Sequence, residues 1–501
     1  MRKNIESQLK IGEVDISQIQ FDLRCRDEIP KLLMGLKHLY CTLPLREEIF
    51  SLLQELIPQG VDPNRGRNGM ELWKILVLGT LRLNCNWDYD KLQDIANNHK
   101  TLRLMLGHVE FEDDKYYYPL QTLKDNVSLF TPEILAKINV VVVKAGHNLV
   151  KKKEEEKLAC RCDSFVVETD VHFPTDINLL FDVIRKVMFL YSLLCESFGF
   201  TFWRQWKSNL KKVKKLYTKA QRMQRSTSGN AQKKAARIEE IKLIHNQYIT
   251  LVESYLDRIE KSWSLFNSSG ASPSLLVIAI DHYIRYGRIF IDQIHRRVIK
   301  VETIAHSEKI FSIFEPHTEW ISKGKAGVPQ ELGLRVSIVE DQYGFILHHN
   351  VMEKQIDADI AVSLIGETKS NFPNMFSCSF DKGYWRPENY DALTEYLSVV
   401  GLRKKGRRNK SETERETSSE FKEAYTGHAA VESGINALEN HGLDRCLDHG
   451  LRGFKRYVSL AIVARNIQKL GHLIQQQEYK RQKRQKKIEE TWSKKKLKQV
   501  A

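Results

Sequence analysis

The segment "SCSFDKGYWRPENY", residues 377–390, decides how the surrounding sequence is interpreted. It begins with a short alternating run, which is typical of a strand, and then changes at once to charge, glycine and aromatic side chains. Pro387 opens a helical pattern, since proline is well suited to the first position of a helix. Asp381 is therefore predicted to end a strand, at a point where a sheet opens to solvent.

The segments around this strand predict a mixed sheet. Residues 331–351, "ELGLRVSIVEDQYGFILHHNV", contain two alternating runs around a turn, which predicts an antiparallel hairpin. A helix is predicted at 357–369 and a short strand at 398–402. Far upstream, a run rich in Val and Phe that contains Asp163 predicts a first strand, and Asp176 is predicted to cap the helix that follows it. The resulting order of strands and helices indicates a mixed α/β fold with a large helical insertion.

Changes in the pattern along the chain predict four regions. They are an all-α N-terminal domain at 1–155, a sheet domain at 156–180 and 305–475, a helical insertion at 181–304, and a basic C-terminal tail at 476–501. Within the first region, residues 86–106 predict two short helices broken near "NNHK". This pattern is compatible with a helix-turn-helix unit and equally with any helical bundle.

The chain is strongly basic, with a formal net charge of +15. An excess of this size favours a polyanionic partner, for which nucleic acid is the first candidate and an anionic membrane surface the rival. No stretch approaches the ~18 apolar residues of a membrane span, and the N-terminus has no apolar signal core. We therefore expect a soluble intracellular protein without a membrane partner.

The cysteines lack zinc-site spacing, so Cys160 and Cys162 are interpreted as reduced core residues.

A second basic feature lies between residues 207 and 225, where positive side chains greatly outnumber negative ones. Two interpretations stay open: a solvated face on a long helix, or a surface that contacts phosphate groups. The candidates for phosphate contact are Lys211, Lys212, Lys214 and Lys215.

Three carboxylates from distant segments are predicted to converge: Asp163 in the first strand, Asp381 at the end of a later strand, and Glu432 on a late helix. Clustered carboxylates raise one another's pKa unless cations hold them, and hard oxygen ligands suit Mg²⁺ or Mn²⁺. Two such ions about 4 Å apart can stabilise both the attacking and the leaving oxygen of a phosphoryl displacement.

The first carboxylate has a rival in Asp170. The separation of Asp163 and Asp170 is odd, so a regular strand sends the two side chains to opposite faces. Asp163 is preferred because apolar residues follow it, as in a central strand, whereas Asp170 adjoins "VHFP".

Three segments, "DSFVVET", "SFDKGYWRPEN" and "YTGHAAVESGINAL", resemble in order and spacing the signature regions of DDE transposases encoded by bacterial insertion sequences. The resemblance spans nearly the whole chain. It implies a ribonuclease H-like catalytic domain, preceded by an N-terminal DNA-binding domain. It also implies that Asp163, Asp381 and Glu432 are the catalytic residues and the ligands of two Mg²⁺ or Mn²⁺ ions.

The third signature region departs from the family pattern of tyrosine, arginine, glutamate and lysine at fixed helical steps. Tyr425 and Glu432 match, but His428 stands in place of the arginine and Glu439 in place of the lysine. Arg445, Arg452 and Lys455, a little downstream, are candidates to substitute for the missing arginine and lysine. Tyr425 and His428 are also expected to contact DNA, as are Lys323 and Lys325 before the hairpin.

The resemblance implies a metal-dependent transposase that cleaves at the ends of its element and joins the 3′-hydroxyl to target DNA. Its partners would be double-stranded DNA, as terminal inverted repeats and target, and a second copy or more of the chain on that DNA. The implied location is the bacterial cytoplasm, at the nucleoid when DNA is bound. Two alternatives are a non-catalytic DNA-binding descendant and a ribonuclease H-like nuclease without strand transfer.

Overall fold

The structure is a computed structural model of the chain. It describes residues 3–5, 13–58, 60, 69–109, 116–151, 153, 155–224, 231–267, 275–322 and 330–500, without the side chains of residues 224, 231, 264, 267 and 490–500. The chain forms two compact units. The sheet unit comprises Met1–Asp170 and Ile321–Ala501, and the helical unit comprises Val171–Trp320.

The N-terminal part of the sheet unit is helical throughout its described residues. Its helices are α1 (Glu28–Cys41), α2 (Leu43–Gln54), α3 (Leu72–Asn84), α4 (Tyr89–Asn98), α5 (Lys100–Met105), α6 (Leu120–Val127) and α7 (Pro132–Val150). The predicted break near "NNHK" is confirmed, because α4 ends before His99 and the His99 side chain accepts a hydrogen bond from the Leu102 N–H to start α5.

A single mixed sheet follows these helices in the chain. Its strands are β1 (Leu158–Thr169), β2 (Glu319–Ser322), β3 (Gln330–Asp341), β4 (Ile346–Val351), β5 (Met375–Phe380), β6 (Val399–Gly401) and β7 (Arg445–Cys446). The main order is β2-β3-β1-β5-β6, with β4 also paired to β3 and β7 to β1. The pairs β1/β3 and β3/β4 are antiparallel, whereas β1/β5, β5/β6 and β1/β7 are parallel. The predictions of a mixed α/β fold and of the β3/β4 hairpin are confirmed.

Between and after these strands lie the remaining helices of the sheet unit. They are α13 (Asp357–Asn371), α14 (Pro387–Tyr396), α15 (Lys410–Thr417), α16 (Ser419–Thr426), α17 (Ala430–Leu438) and α18 (Gly450–Val500). The helix α18 is the longest, and it continues through the predicted tail at 476–501 as far as Val500.

The helical unit consists, in its described part, of helices and short turns up to the start of β2. The helices are α8 (Asp176–Ser197), α9 (Trp206–Gln224), α10 (Ala231–Lys261), α11 (Trp263–Asn267) and α12 (Leu275–Ile294). They enclose an apolar core of their own. The prediction that Asp176 caps α8 is wrong, because Thr175 is the N-cap and its hydroxyl accepts from the Asn178 N–H. Asp176 instead forms an ion pair with Arg297 at 2.9 Å.

The helices of the N-terminal part and α18 share one apolar core with a face of the sheet. A buried asparagine pair connects them: the Asn466 amide of α18 donates to the Asn139 side chain of α7 at 2.7 Å and to the Ile346 carbonyl of β4 at 2.8 Å. The predicted domain at 1–155 is therefore packed into the same unit as the sheet.

Within the described residues, no single helix combines the length and the apolar composition of a membrane span. One strongly bent pair, Leu120–Val127 with Pro132–Val150, meets the criteria jointly, with an angle of 80° between the two helices.

The contact between α1 and α18 depends on two glycines. A Cβ at Gly471 would lie 1.8 Å from the Lys31 carbonyl oxygen, and one at Gly35 would lie 2.2 Å from the Ile467 carbonyl oxygen. Overpacking of this kind typically costs about 1–3 kcal/mol. We expect Gly471→Ala to lower the free energy of unfolding by at least that amount, measured by urea denaturation.

Gly453 is the matched control on the same helix, because a Cβ there would meet its nearest atom at an ordinary 3.5 Å. Gly453→Ala should be neutral or stabilising by up to about 1 kcal/mol, since alanine forms a helix more readily than glycine. Equal destabilisation by the two substitutions would contradict the close packing of α1 on α18.

Candidate active site

Asp163 lies in the middle of β1, at an interruption in the pairing of that strand. On one side β1 pairs with β3 along its length. On the other side it pairs with β5 only as far as Cys162↔Phe380, and with β7 only from Glu168↔Arg445 onward. Asp163 is the first residue of the unpaired interval between these two neighbours. The gap opens the sheet beside a partly buried carboxylate.

Asp381 follows β5 directly and is exposed. Its carboxylate accepts from the Gly383 N–H at 3.4 Å, which begins a 3₁₀ turn over Lys382–Tyr384. Tyr384 anchors this turn, because its ring is buried and its hydroxyl lies 2.7 Å from the Ser337 hydroxyl of β3. The motif "DKGY" thus ends the strand and fixes the backbone that carries Asp381.

The strand register makes Asp163 and Asp381 neighbours. The last aligned pair of these parallel strands is Cys162 with Phe380, and the residues that follow it on the two strands are Asp163 and Asp381. Side chains aligned in this way on adjacent strands project to the same face, with backbones about 5 Å apart. The sheet therefore brings together two of the three predicted carboxylates.

Glu432 reaches the same face from α17, which packs on β1. Val431 and Leu438 are fully buried and hold the helix down, whereas Glu432 is exposed. Gly434 allows a close approach, since a Cβ there would lie 2.0 Å from the Glu340 carboxylate of β3. Glu340 itself is buried beside Arg161 of β1, at 3.4 Å.

The pKa of Asp163 reflects the nearby negative charges of these groups. Burial and the negative charges of Asp381, Asp357 and Glu432 together raise the pKa of Asp163 to about 6, against the hydrogen bond from the Ser164 N–H. Among the described residues, no lysine or arginine forms an ion pair with any of these four carboxylates. The cluster therefore carries uncompensated negative charge.

Asp357 is a member of this cluster that the sequence analysis missed. It is the first residue of α13, and its carboxylate accepts from the Ser164 hydroxyl at 2.6 Å. It also lies against the turn after Asp381, where a Cβ at Gly383 would be 2.7 Å from its Oδ2. An aspartate at a helix start is ordinarily explained by the helix dipole. The position of α13 in the fold shows that Asp357 also lies beside Ser164 and the turn after Asp381.

His428 and Tyr425 lie beside the cluster, as part of an aromatic stack on α16 and the turn after it. The Tyr425 ring stacks on Phe421 and on His428, with centroids 6.0 Å and 5.7 Å apart. His428 Nδ1 lies 3.1 Å from the Ser379 hydroxyl of β5. Burial lowers the pKa of His428, although the charges of Asp381 and Glu432 oppose this shift.

The other predicted site residues near the sheet lie elsewhere or are engaged. Asp170 lies just beyond β1 and is exposed, 3.7 Å from Arg445, which also approaches Glu168 at 3.4 Å. Lys455 pairs with Glu353 at 2.5 Å, and the exposed Arg452 acts electrostatically on Glu133. Asp170 is therefore separate in its contacts from the group around Asp163.

The lysines of the basic run are placed on α9 of the helical unit. Val213 is fully buried, and the four predicted contact residues around it are exposed: Lys211, Lys212, Lys214 and Lys215. The structure thus presents them on one solvent-facing surface. Lys323 and Lys325 lie outside the described residues.

The carboxylate cluster is not arranged as a closed metal site. Across the described ranges, no group of three or more His, Cys, Asp or Glu side chains is placed so that it could hold a metal ion. The nearest polar partners of Asp163 and Asp381 are backbone N–H groups, of Ser164 and Gly383. The four carboxylates share one electrostatic environment without sharing a ligand geometry.

No protein-family model, no curated protein and no solved structure matches this chain. The features of the chain that bear on its function are the geometry of the sheet and the carboxylate cluster.

The raised pKa of Asp163 makes stability depend on pH. Between the unfolded value near 3.9 and the folded value of about 6, the folded state binds more protons than the unfolded chain, so ionisation lowers stability as the pH rises. We expect Asp163→Asn to raise the free energy of unfolding by about 1–2 kcal/mol at pH 7.5. This gain should disappear below about pH 4, as measured by urea denaturation at both pH values.

Asp170→Asn provides the control, because Asp170 is exposed and its ion pair with Arg445 is a surface contact worth at most about 1 kcal/mol. It should not stabilise the protein at either pH. If Asp163→Asn were destabilising by the same amount at both pH values, the crowding of charge around Asp163 would be refuted.

Proposed function

We propose that this chain is a DNA transposase of the DDE type, which cleaves at the ends of its element and joins the 3′-hydroxyl to target DNA. The observation that carries the proposal is the position of three carboxylates. Asp163 and Asp381 directly follow the last aligned pair of β1 and β5, and Glu432 lies on a helix that packs on β1. The three carboxylates come from the three segments that resemble the transposase signatures, in the same order along the chain.

The arrangement of the sheet supports a ribonuclease H-like fold for the catalytic part. That fold has three antiparallel strands followed by two strands parallel to the first, and the order β4-β3-β1-β5-β6 with its pairings follows this plan. The helical unit would then be an insertion between the first and second strands of the fold, since it connects β1 to β2 and β3.

The chemistry of the donor set fits Mg²⁺ or Mn²⁺. These ions prefer carboxylate oxygens, and the negative charge around Asp163 lacks a paired cation among the described side chains. Asp163, Asp381 and Glu432 would hold the ions, two in number, with Asp357 close to them. When bound, such ions supply charge stabilisation for an in-line phosphoryl displacement.

The protein groups then have defined tasks. The sheet holds Asp163 and Asp381 at a fixed separation, so that the scissile phosphodiester is oriented before the reaction. First, water attacks the phosphorus and the bond to the 3′-oxygen breaks. Then the freed 3′-hydroxyl attacks a phosphodiester of the target DNA and displaces its 3′-oxygen. Each step exchanges one phosphorus–oxygen bond for another, so no covalent bond to the protein is needed.

The exposed lysines of α9 would contribute affinity for the DNA backbone. Contacts to phosphate groups position a protein on DNA without conveying sequence information. Sequence-specific recognition of the ends is assigned to the N-terminal helices, which include the short pair α4 and α5.

The catalytic assignment is tested by three single substitutions, Asp163→Asn, Asp381→Asn and Glu432→Gln. Each should reduce cleavage and joining below detection in Mg²⁺, because each removes a ligand charge. Binding to the same DNA in Ca²⁺ should persist. The substrate is duplex DNA from the flanks of the protein's own gene, and the new ends are mapped by sequencing.

Asp170→Asn is the matched control and should retain wild-type cleavage. An active Asp163→Asn protein together with an inactive Asp170→Asn protein would transfer the role to Asp170. Cleavage without joining by the wild-type protein would indicate a nuclease, and binding without either reaction would indicate a non-catalytic descendant.

The role of α9 is tested by replacing Lys211, Lys212, Lys214 and Lys215 with alanine. Each phosphate contact contributes close to one unit to the slope of log affinity against log salt concentration. The substitutions should flatten that slope and weaken end DNA and random DNA about equally, as measured by fluorescence anisotropy.

A matched set on α18 consists of four exposed cations, Lys480, Lys483, Arg484 and Lys486. If the α9 substitutions left the slope unchanged and the α18 set flattened it, the backbone contact would belong to α18. The lysines of α9 would then form an ordinary solvated helix face.

A further inference from the structure

A third strand, β6, lies beside β5 where that strand approaches Asp381. In the parallel pair β5/β6, Ser377 is aligned with Val399 and Ser379 with Gly401. Both strands end soon afterwards, β5 at Phe380 and β6 at Gly401, so Asp381 follows β5 directly and Arg403 lies two residues after β6. Because the two strands are parallel and adjacent, Asp381 and Arg403 follow strand ends at the same edge of the sheet.

The guanidinium of Arg403 is held by an aromatic ring instead of a carboxylate. Its Cζ lies 3.8 Å from the centroid of Tyr425, over the ring face. In the described part of the chain, Arg403 forms no ion pair. Stacking orients the plane of the guanidinium and leaves its charge and its edge N–H groups available.

The cations that follow Arg403 contrast with it. Lys404 pairs with Glu412 at 2.7 Å, and Arg408 pairs with Glu416 at 2.7 Å. These two residues secure the loop to α15. Arg403, in contrast, takes no part in the described ion pairs that hold this loop to α15.

The aromatic stack connects Arg403 to the carboxylates. Tyr425 stacks on His428, and His428 lies at hydrogen-bond distance from Ser379, two residues before Asp381 on the same face of β5. His428 also experiences the charges of Asp381 and Glu432. Arg403, Tyr425 and His428 therefore line one side of the proposed active site.

We propose that Arg403 binds a phosphodiester group of the DNA adjacent to the one held at Asp163 and Asp381. This inference rests on the proposed function. A cluster of uncompensated carboxylates repels the DNA backbone, and a fixed guanidinium at its border offsets that repulsion. The planar guanidinium of arginine can donate two parallel hydrogen bonds to one phosphate. The ammonium group of lysine cannot form this bidentate arrangement.

Arg403 fits this task better than the basic residues further along the chain. Arg445 approaches Glu168 and Asp170, and Lys455 pairs with Glu353. Arg403 therefore supplies the guanidinium that the third signature region lacks, where His428 occupies the arginine position.

The experiment compares Arg403→Ala, Arg403→Lys and a matched control, Arg407→Ala. Arg407 is an exposed cation of the same loop. Binding to flanking duplex DNA is measured in Ca²⁺ over a range of salt concentrations, and cleavage is measured in Mg²⁺ at saturating DNA. Thermal unfolding of each variant checks that the fold is retained.

Arg403→Ala should reduce the salt slope by about one unit and the cleavage rate by about tenfold to a hundredfold. Arg403→Lys should keep the wild-type salt slope, because the positive charge remains. It should lose most of the cleavage rate, because the bidentate guanidinium is absent. Arg407→Ala should keep the wild-type rate. A combined Arg403→Ala and Tyr425→Leu protein should lose little more than Arg403→Ala alone.

The inference is overturned if Arg403→Ala matches Arg407→Ala in both slope and rate while Asp163→Asn is inactive. That outcome leaves the proposed function intact. A wild-type protein that binds but does not cleave DNA would instead overturn the proposed function, and the salt slope of Arg403→Ala would still decide the phosphate contact. A wild-type protein that does not bind DNA would overturn both.

Discussion

The candidate site depends on where strand β1 changes its neighbour. A strand of this length would normally be paired along both sides, because unpaired backbone groups at an open edge invite association with other chains. Here β5 stops at Phe380 and β7 begins at Arg445, so the middle of β1 is left open on one side. The helix α17 packs on β1. Asp163 lies at the start of this gap, and the negative charges of Asp381 and Glu432 act on its carboxylate.

Charge crowding at this place has a structural cost, which the surrounding packing has to offset. The pKa of Asp163 is raised because its carboxylate is partly buried among others of the same sign. The backbone around it is held by firm interactions: Tyr384 on Ser337, Glu340 beside Arg161, and the buried pair of His147 with Asp341 at 2.6 Å. Like charges kept together by a rigid scaffold are a common sign of a functional site.

Local patterns in the sequence were sufficient for most of the sheet. The alternation around residues 331–351 specifies the β3/β4 hairpin, and the break after Phe380 specifies the end of β5. Other features depend on tertiary packing and could not be predicted. Asp357 resembles any aspartate at a helix start, and Arg403 resembles any loop arginine until its stacking on Tyr425 is known. The capping role of Asp176 was wrong because Thr175, one residue earlier, takes that position.

The domain boundary predicted near residue 155 is another case in which sequence patterns do not reveal tertiary packing. Composition separates a helical segment from a strand-rich one, but it does not show that α18 returns from the far end of the sequence to pack on α1 and α7. The buried contact of Asn466 with Asn139 and Ile346 ties α18, α7 and β4 into one core. If the N-terminal helices recognise DNA as proposed, they do so as part of the same packed unit that carries the carboxylates. The distance from recognised base pairs to the cleaved bond would then be set by helix packing, without a flexible linker between recognition and chemistry.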